Sequence, residues 1–182
     1  MGARIPDAVV DAAAHRSMVE LWERLCADPQ LAGLPFKFET TREGKIIMSP
    51  ASMPHASMQG RIMFALQAVA RDAGLGGEVM PECPVVTAGG VKVPDVVWLS
   101  RGQANAFAGK MAAPAAPDIC VEVKSPSNSK KEMDAKRALY FGAGAKEVWI
   151  CDGQGTLTFW SATGKIRRSR ILAAFPARIG ST

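Results

Sequence analysis

The chain has 182 residues, 48% of them hydrophobic, and carries a formal net charge of +5 with a pI near 9.2. This is enough apolar material for one globular domain with a full core, and the modest basicity permits a polyanionic partner without requiring one. No apolar run approaches the roughly 20 residues of a membrane span, which excludes a membrane protein, and the four cysteines are widely spaced without a CxxC pair. Cys26, Cys83, Cys120 and Cys151 therefore read as reduced core thiols of a cytoplasmic protein, and a structural zinc site is not expected. Asp7 and Asp11, with no basic segment leading into an apolar run, argue against a signal peptide.

Ala13 to Ala27 reads as an amphipathic helix, with Met18, Leu21, Trp22 and Leu25 on one face. Asp28-Pro29 and Gly33-Leu34-Pro35 stop it. Phe36 to Thr40 and Lys45 to Ser49 form a hairpin around Glu43-Gly44. A second helix is expected over Met53 to Asp72 with Ile62, Leu66 and Val69 inward, ended by Gly74 and Gly76-Gly77. Strands follow at Glu78 to Val86 and Val91 to Leu99, then an Ala-rich connection from Ser100 to Pro117 with at most a helical turn. After the strand Asp118 to Lys124, Ser129-Lys130-Lys131-Glu132 matches a capping box opening a helix to Phe141, closed by Gly142 and Gly144. Val148 to Cys151, Thr156 to Trp160 and a basic strand from Lys165 to Ile171 complete an α+β order in which a mixed central sheet is flanked by helices.

The strand Asp118-Ile119-Cys120-Val121-Glu122-Val123-Lys124 carries the chemistry. Side chains alternate along a strand, so Glu122 and Lys124 share one face while Val121 and Val123 pack into the other. Burying a carboxylate and an ammonium costs several kcal/mol each unless they are paired or bind an ion. Asp95, after Pro94 at the start of another apolar run, supplies a second carboxylate, and together these residues suit a magnesium-dependent phosphodiesterase.

The order and spacing of several short pieces resemble the PD-(D/E)XK nuclease superfamily, and within it the Uma family of bacterial restriction endonucleases. The pieces run from Phe38-Glu39 through Gly44-Lys45-Ile46, Met48-Ser49-Pro50 and His55 to Val93-Pro94-Asp95-Val96. They continue with Ala116-Pro117-Asp118-Ile119, Glu122-Val123, Ser125-Pro126-Ser127, Lys136, Tyr140, Gly144 to Trp149, and Cys151-Asp152. The resemblance covers about Phe38 to Trp160 and leaves the N-terminal helix outside. It implies a single restriction-endonuclease-like domain over residues 1–182, with a helical extension at 1–35 and a nuclease core at 36–171. Where many similar sequences carry leucine two residues after the glutamate, this chain has Lys124, so the acid–x–lysine motif stands complete.

The resemblance implies that Asp95 and Glu122, helped by the Val123 carbonyl, hold Mg²⁺ or Mn²⁺ through hard oxygen ligands. Lys124 would orient the attacking water and stabilise the transition state. Glu39, His55, Lys136 and Tyr140 are accessory candidates: a further carboxylate, a phosphate contact or proton carrier, and a lysine–tyrosine pair one helical turn apart. The expected partners are DNA and a second copy in a symmetric homodimer, with no organic cofactor and no membrane.

Blander readings stand beside each residue. Asp95 could be a turn carboxylate, Glu122 with Lys124 a same-face ion pair, and Asp118 a cap at the strand entrance. His55 could be a satisfied histidine at a helix N-terminus, Lys136 with Tyr140 a solvated lysine beside a half-buried tyrosine, and the basic strand a charged sheet edge. His15 is expected to be exposed, and Trp98, Trp149 and Trp160 to be core. Two other functional classes remain open at this point: a nuclease-fold protein that binds nucleic acid or protein without cutting, and a protein unrelated to nucleic acid whose glutamate–lysine pair is architectural.

Overall fold

A computed structural model describes residues 12–34, 36–50 and 52–180; Asp7 and Asp11 lie outside them. The helices are α1 (Ala12–Ala27), α2 (Pro29–Ala32), α3 (Met53–Asp72), α4 (Arg101–Phe107) and α5 (Lys130–Gly142). The strands are β1 (Phe36–Thr40), β2 (Ile46–Pro50), β3 (Gly77–Pro81), β4 (Val85–Thr87), β5 (Gly90–Lys92), β6 (Val96–Ser100), β7 (Ile119–Val123), β8 (Glu147–Cys151), β9 (Leu157–Ser161) and β10 (Gly164–Ile166).

Six strands form a mixed sheet in the order β10-β9-β8-β7-β6-β3, in which only β7 and β8 pair in parallel, with α5 as their crossover. All five residues of β7 are buried, as a central strand covered on both faces requires. Ile119, Val121 and Val123 pack with Trp149, Phe159 and the α3 residues Ile62 and Leu66. Cys120 points the other way, into a second core with Val97, Leu99, Val148 and Tyr140 of α5. Glu122 has the parity of Cys120, so this carboxylate enters the α5 side of the sheet.

The capping box at α5 is complete: Ser129 Oγ accepts from the Glu132 amide at 3.2 Å, and Glu132 Oε2 accepts from the Ser129 amide at 2.6 Å. Two small hairpins, β1–β2 and β4–β5, stand beside the main sheet. α1 packs Met18 and Trp22 against Val86, Val91, Val93 and Phe38. The close approach of β5 to β1 requires glycine at position 90, where φ is +100° and a Cβ would lie 2.4 Å from the Thr40 carbonyl oxygen. That approach lets the Val91 amide donate to Thr40 Oγ1 at 2.8 Å and Lys92 Nζ to the Thr40 carbonyl at 2.7 Å.

Several elements differ from the sequence expectation. Each of the two strands expected between Glu78 and Leu99 is broken in two. Glu82 adopts φ +49°, a left-handed conformation costly for a residue with a Cβ, and Pro84 has no amide to donate; Pro94 interrupts the second run in the same way. The Ala-rich connection contains the seven-residue helix α4. The basic strand ends at Ile166, because the chain then bends and returns Leu172, Phe175 and Ile179 to the core on the α3 side. Trp160 is only half-buried, with the Arg137 guanidinium stacked 3.9 Å from its ring. His15 is half-buried rather than exposed, its Nε2 lying 3.1 Å from the Pro114 carbonyl.

Candidate active site

Asp95 sits one residue before β6, opposite the end of β7. The ladder pairs Val96 with Val121, so continuing it by one residue sets Asp95 against Glu122 on the α5 side of the sheet. β6 has ended there, and Asp95 Oδ2 takes over the ladder's role by accepting the Val123 amide at 2.7 Å. Its other oxygen accepts from Lys37 Nζ at 2.5 Å and lies 3.1 Å from His55 Nε2. Lys37 comes from β1 and His55 from the first turn of α3; Gln59, one turn further along α3, donates to the Asp95 carbonyl at 2.8 Å.

Glu122 is gripped from α5. Tyr140 donates its hydroxyl to Glu122 Oε1 at 2.5 Å, and Lys136 Nζ lies 3.2 and 3.3 Å from the two carboxylate oxygens. The same ammonium reaches Glu39 Oε1 at 2.7 Å, and that oxygen also accepts the Val93 amide at 3.0 Å. Lys136 therefore bridges two carboxylates from different sheets.

These contacts set opposite electrostatic states for the two acids. Burial pushes the Asp95 carboxyl up, but the His55 hydrogen bond and the Lys37 ammonium outweigh it and hold its pKa down at about 2. Glu122 is raised above the usual carboxylate range, first by burial and further by the Asp95 charge, against the opposing pull of Lys136. The Tyr140 phenol is pushed up by burial and by Glu122, so it remains a donor. Burial opposes charge on Lys136, yet Glu122 and Glu39 overcome it and keep the ammonium protonated. Hydrogen bonding to Asp95 raises the His55 pKa despite partial burial.

Asp95, Glu122, Glu39, His55, Lys136 and Tyr140 are thus gathered at one place. Lys124 is not. β7 ends at Val123, and Lys124 lies exposed just beyond it, its amide donating to the Cys151 carbonyl at 2.8 Å. The positive charges on the carboxylates come instead from Lys136 and from Lys37, a residue that local sequence pattern alone did not single out. Its signal was the Lys37-Phe38-Glu39 alternation, which puts a lysine and a glutamate on one face of β1. Asp118 is a cap, accepting the Ser100 amide at 3.3 Å and pairing with Lys146 at 2.8 Å.

Asp95, Glu122 and Glu39 offer the hard oxygens that Mg²⁺ prefers, and Mg²⁺ is usually held by one or two carboxylates plus waters and substrate phosphate. Among the described residues no three histidine, cysteine, aspartate or glutamate side chains converge as a complete metal cage. The donor chemistry fits an ion held by two carboxylates, which the ammonium groups of Lys37 and Lys136 contact in this structure.

Two buried acids thus lie at the ends of adjacent strands at the centre of the mixed sheet, under a crossover helix that bears a lysine. Residues 19–174 match the Uma2 family, described as "Putative restriction endonuclease", and the chain belongs to that family. The match begins within α1, so part of the helix expected to lie outside the resemblance is included. Among solved structures, the chain is similar to a putative nuclease of the DUF820 group from Anabaena variabilis, with TM-score 0.64 and 17% identity over 81% of this chain and 92% of that one. At this identity the likeness extends to the fold. No curated protein matches the sequence.

Proposed function

We propose that the chain is a metal-dependent endonuclease that hydrolyses phosphodiester bonds in DNA, with Asp95 and Glu122 as the Mg²⁺ ligands and Lys136 as the catalytic lysine. The observation that carries this reading is the pair of buried carboxylates at neighbouring strand ends, Glu122 within β7 and Asp95 just before β6, each met by a lysine from another element. A bound Mg²⁺ would polarise the scissile phosphate and lower the pKa of an attacking water. Asp95 is ionised through the neutral range and ready to bind a cation. Glu39 and Glu122 hold the Lys136 ammonium beside the acids, where a fixed charge can stabilise a phosphate gaining negative charge. Tyr140 fixes the Glu122 carboxylate by its hydrogen bond, and the Val123 carbonyl lies at the same strand end. Lys37 and His55 hold Asp95 and can move onto a phosphate oxygen when the carboxylate takes up the ion.

One site per chain cuts one strand, so double-strand cleavage asks for a two-fold pair of chains. The free thiols Cys83, Cys120 and Cys151 are buried, and no helix among the described residues is long and apolar enough to cross a membrane. The buried reduced thiols fit a cytoplasmic site of action.

One observation favours a rival reading, a nuclease fold that binds nucleic acid or protein without cutting: lysines already neutralise both acids. Nicking of supercoiled plasmid decides between them. Mg²⁺- or Mn²⁺-dependent nicking, abolished by EDTA and absent in Glu122→Gln, is the expected result. Binding of DNA without nicking under any divalent ion supports the rival.

A further inference from the structure

We propose that the turn after β10 is a phosphate-backbone clamp for duplex DNA, formed by Arg167, Arg168 and Arg170; this rests on the nuclease reading above. The three side chains are exposed and border a shallow cleft of about 580 Å³ with Ile166, Ser169 and Ala173. Among the described residues none of the three guanidinium groups pairs with a carboxylate, whereas Arg71, Lys130 and Arg137 each do. Three exposed arginines within four residues, with no carboxylate paired to them, form a local positive field.

The turn that displays them is fixed from beneath. Ser169 is buried and its Oγ accepts the Ile171 and Leu172 amides at 3.2 and 2.8 Å. Buried Glu147 accepts the Arg170 and Ile171 amides at 2.6 and 3.2 Å. The side chains are thus presented on a backbone already ordered, which lowers the entropy cost of binding.

The turn leaves the β10 edge and runs on the α3 face of the sheet as far as β8, where Glu147 holds it. Ile166 pairs with Phe159, Phe159 with Trp149, and Trp149 with Val121, so the turn begins three strand spacings from β7. That is roughly 14 Å, or about four base pairs of duplex. Lys165 pairs with Trp160, which pairs with Val148, so Lys165 adds a charge at the β10 edge on the sheet face of Glu122. Guanidinium groups bind phosphate through paired N–H donors, and they hold a duplex whatever its sequence.

The test is binding of a fluorescein-labelled random-sequence DNA duplex by the full chain in EDTA, followed by anisotropy over a range of salt concentrations. Replacing all three residues, Arg167→Gln, Arg168→Gln and Arg170→Gln, should weaken binding more than tenfold and flatten the log–log salt slope by about 2–3, since each phosphate left without its arginine removes about 0.9 from the slope. Each single replacement should flatten it by about 1, and these gentler variants serve if the triple one melts early. The pair Arg71→Gln with Arg101→Gln, at the β3 edge of the sheet, should change neither quantity. An unchanged slope and affinity in the folded triple variant overturns the clamp, while plasmid nicking by the same preparation leaves the nuclease reading standing. Binding of RNA but not duplex DNA through these arginines also overturns it. A wild-type chain that neither binds nor nicks DNA overturns both.

Discussion

Two buried glutamates stand on opposite faces of the parallel strand pair and are satisfied in opposite ways. Glu147, at the start of β8, is met by N–H groups: Trp149 Nε1 at 2.8 Å and the Arg170 and Ile171 amides. Glu122, near the end of β7, is met by the ends of two side chains from α5, an ammonium and a phenol. Backbone donors cannot withdraw without unfolding the turn they belong to, so Glu147 is a structural pin. A lysine ammonium on a four-carbon stem can retreat by rotamer changes and be replaced by another cation. The comparison teaches that burial alone does not set a carboxylate's part in the fold; whether its partners can withdraw does.

The largest effect expected from breaking this contrast is on catalysis. Glu122→Gln should lower single-turnover plasmid cleavage by on the order of 10²–10³ with a small change in unfolding midpoint, because Tyr140 and Lys136 keep an acceptor. Glu147→Gln should do the reverse. It replaces an acceptor of three donors by a group that is itself half donor, costing roughly 1–3 kcal/mol in urea unfolding, while cleavage per folded molecule is unchanged.

Acid sharpens the contrast within the site. The Asp95 pKa is lowered from 3.8 to about 2, so its stabilisation is complete above the higher value and is lost as pH falls through the lower. This loss is on the order of 2 kcal/mol. Glu122 is raised, so its ionisation opposes folding as pH rises from the acid range, and stability gains from its protonation on acidification. His55, also raised, stabilises below its unfolded pKa and loses that contribution as pH rises through its folded value. Unfolding midpoints across the acid range should therefore lose their steep low-pH fall in Asp95→Asn. The smallest effect expected is Ser129→Ala, which removes the capping box and should cost about 1 kcal/mol in thermal or urea unfolding, without touching the acids.

Much of this architecture was legible from local rules. The bounds of α3 and β1 and the capping box of α5 follow from periodicity, proline and Ser129-x-x-Glu132, all of which act within a few residues. Asp95 and Glu122 were legible because charge in an apolar run is costly and therefore informative. Lys124 shows the limit of that rule. Alternation put it beside Glu122, but β7 ends one residue too soon and leaves it in solvent. Lys136 was expected at the site through the resemblance, whereas Lys37 reaches Asp95 across 58 residues with no such signal. Such pairings depend on tertiary packing and leave only a faint trace in local pattern.

The most direct measurement is single-turnover nicking of supercoiled plasmid in Mg²⁺ by Lys136→Ala and Lys124→Ala, each checked for folding by its unfolding midpoint. The account predicts that Lys136→Ala loses on the order of 10²-fold or more, whereas Lys124→Ala stays within a few-fold of wild type. Retained cleavage in Lys136→Ala with loss in Lys124→Ala would contradict it and return the catalytic charge to the end of β7.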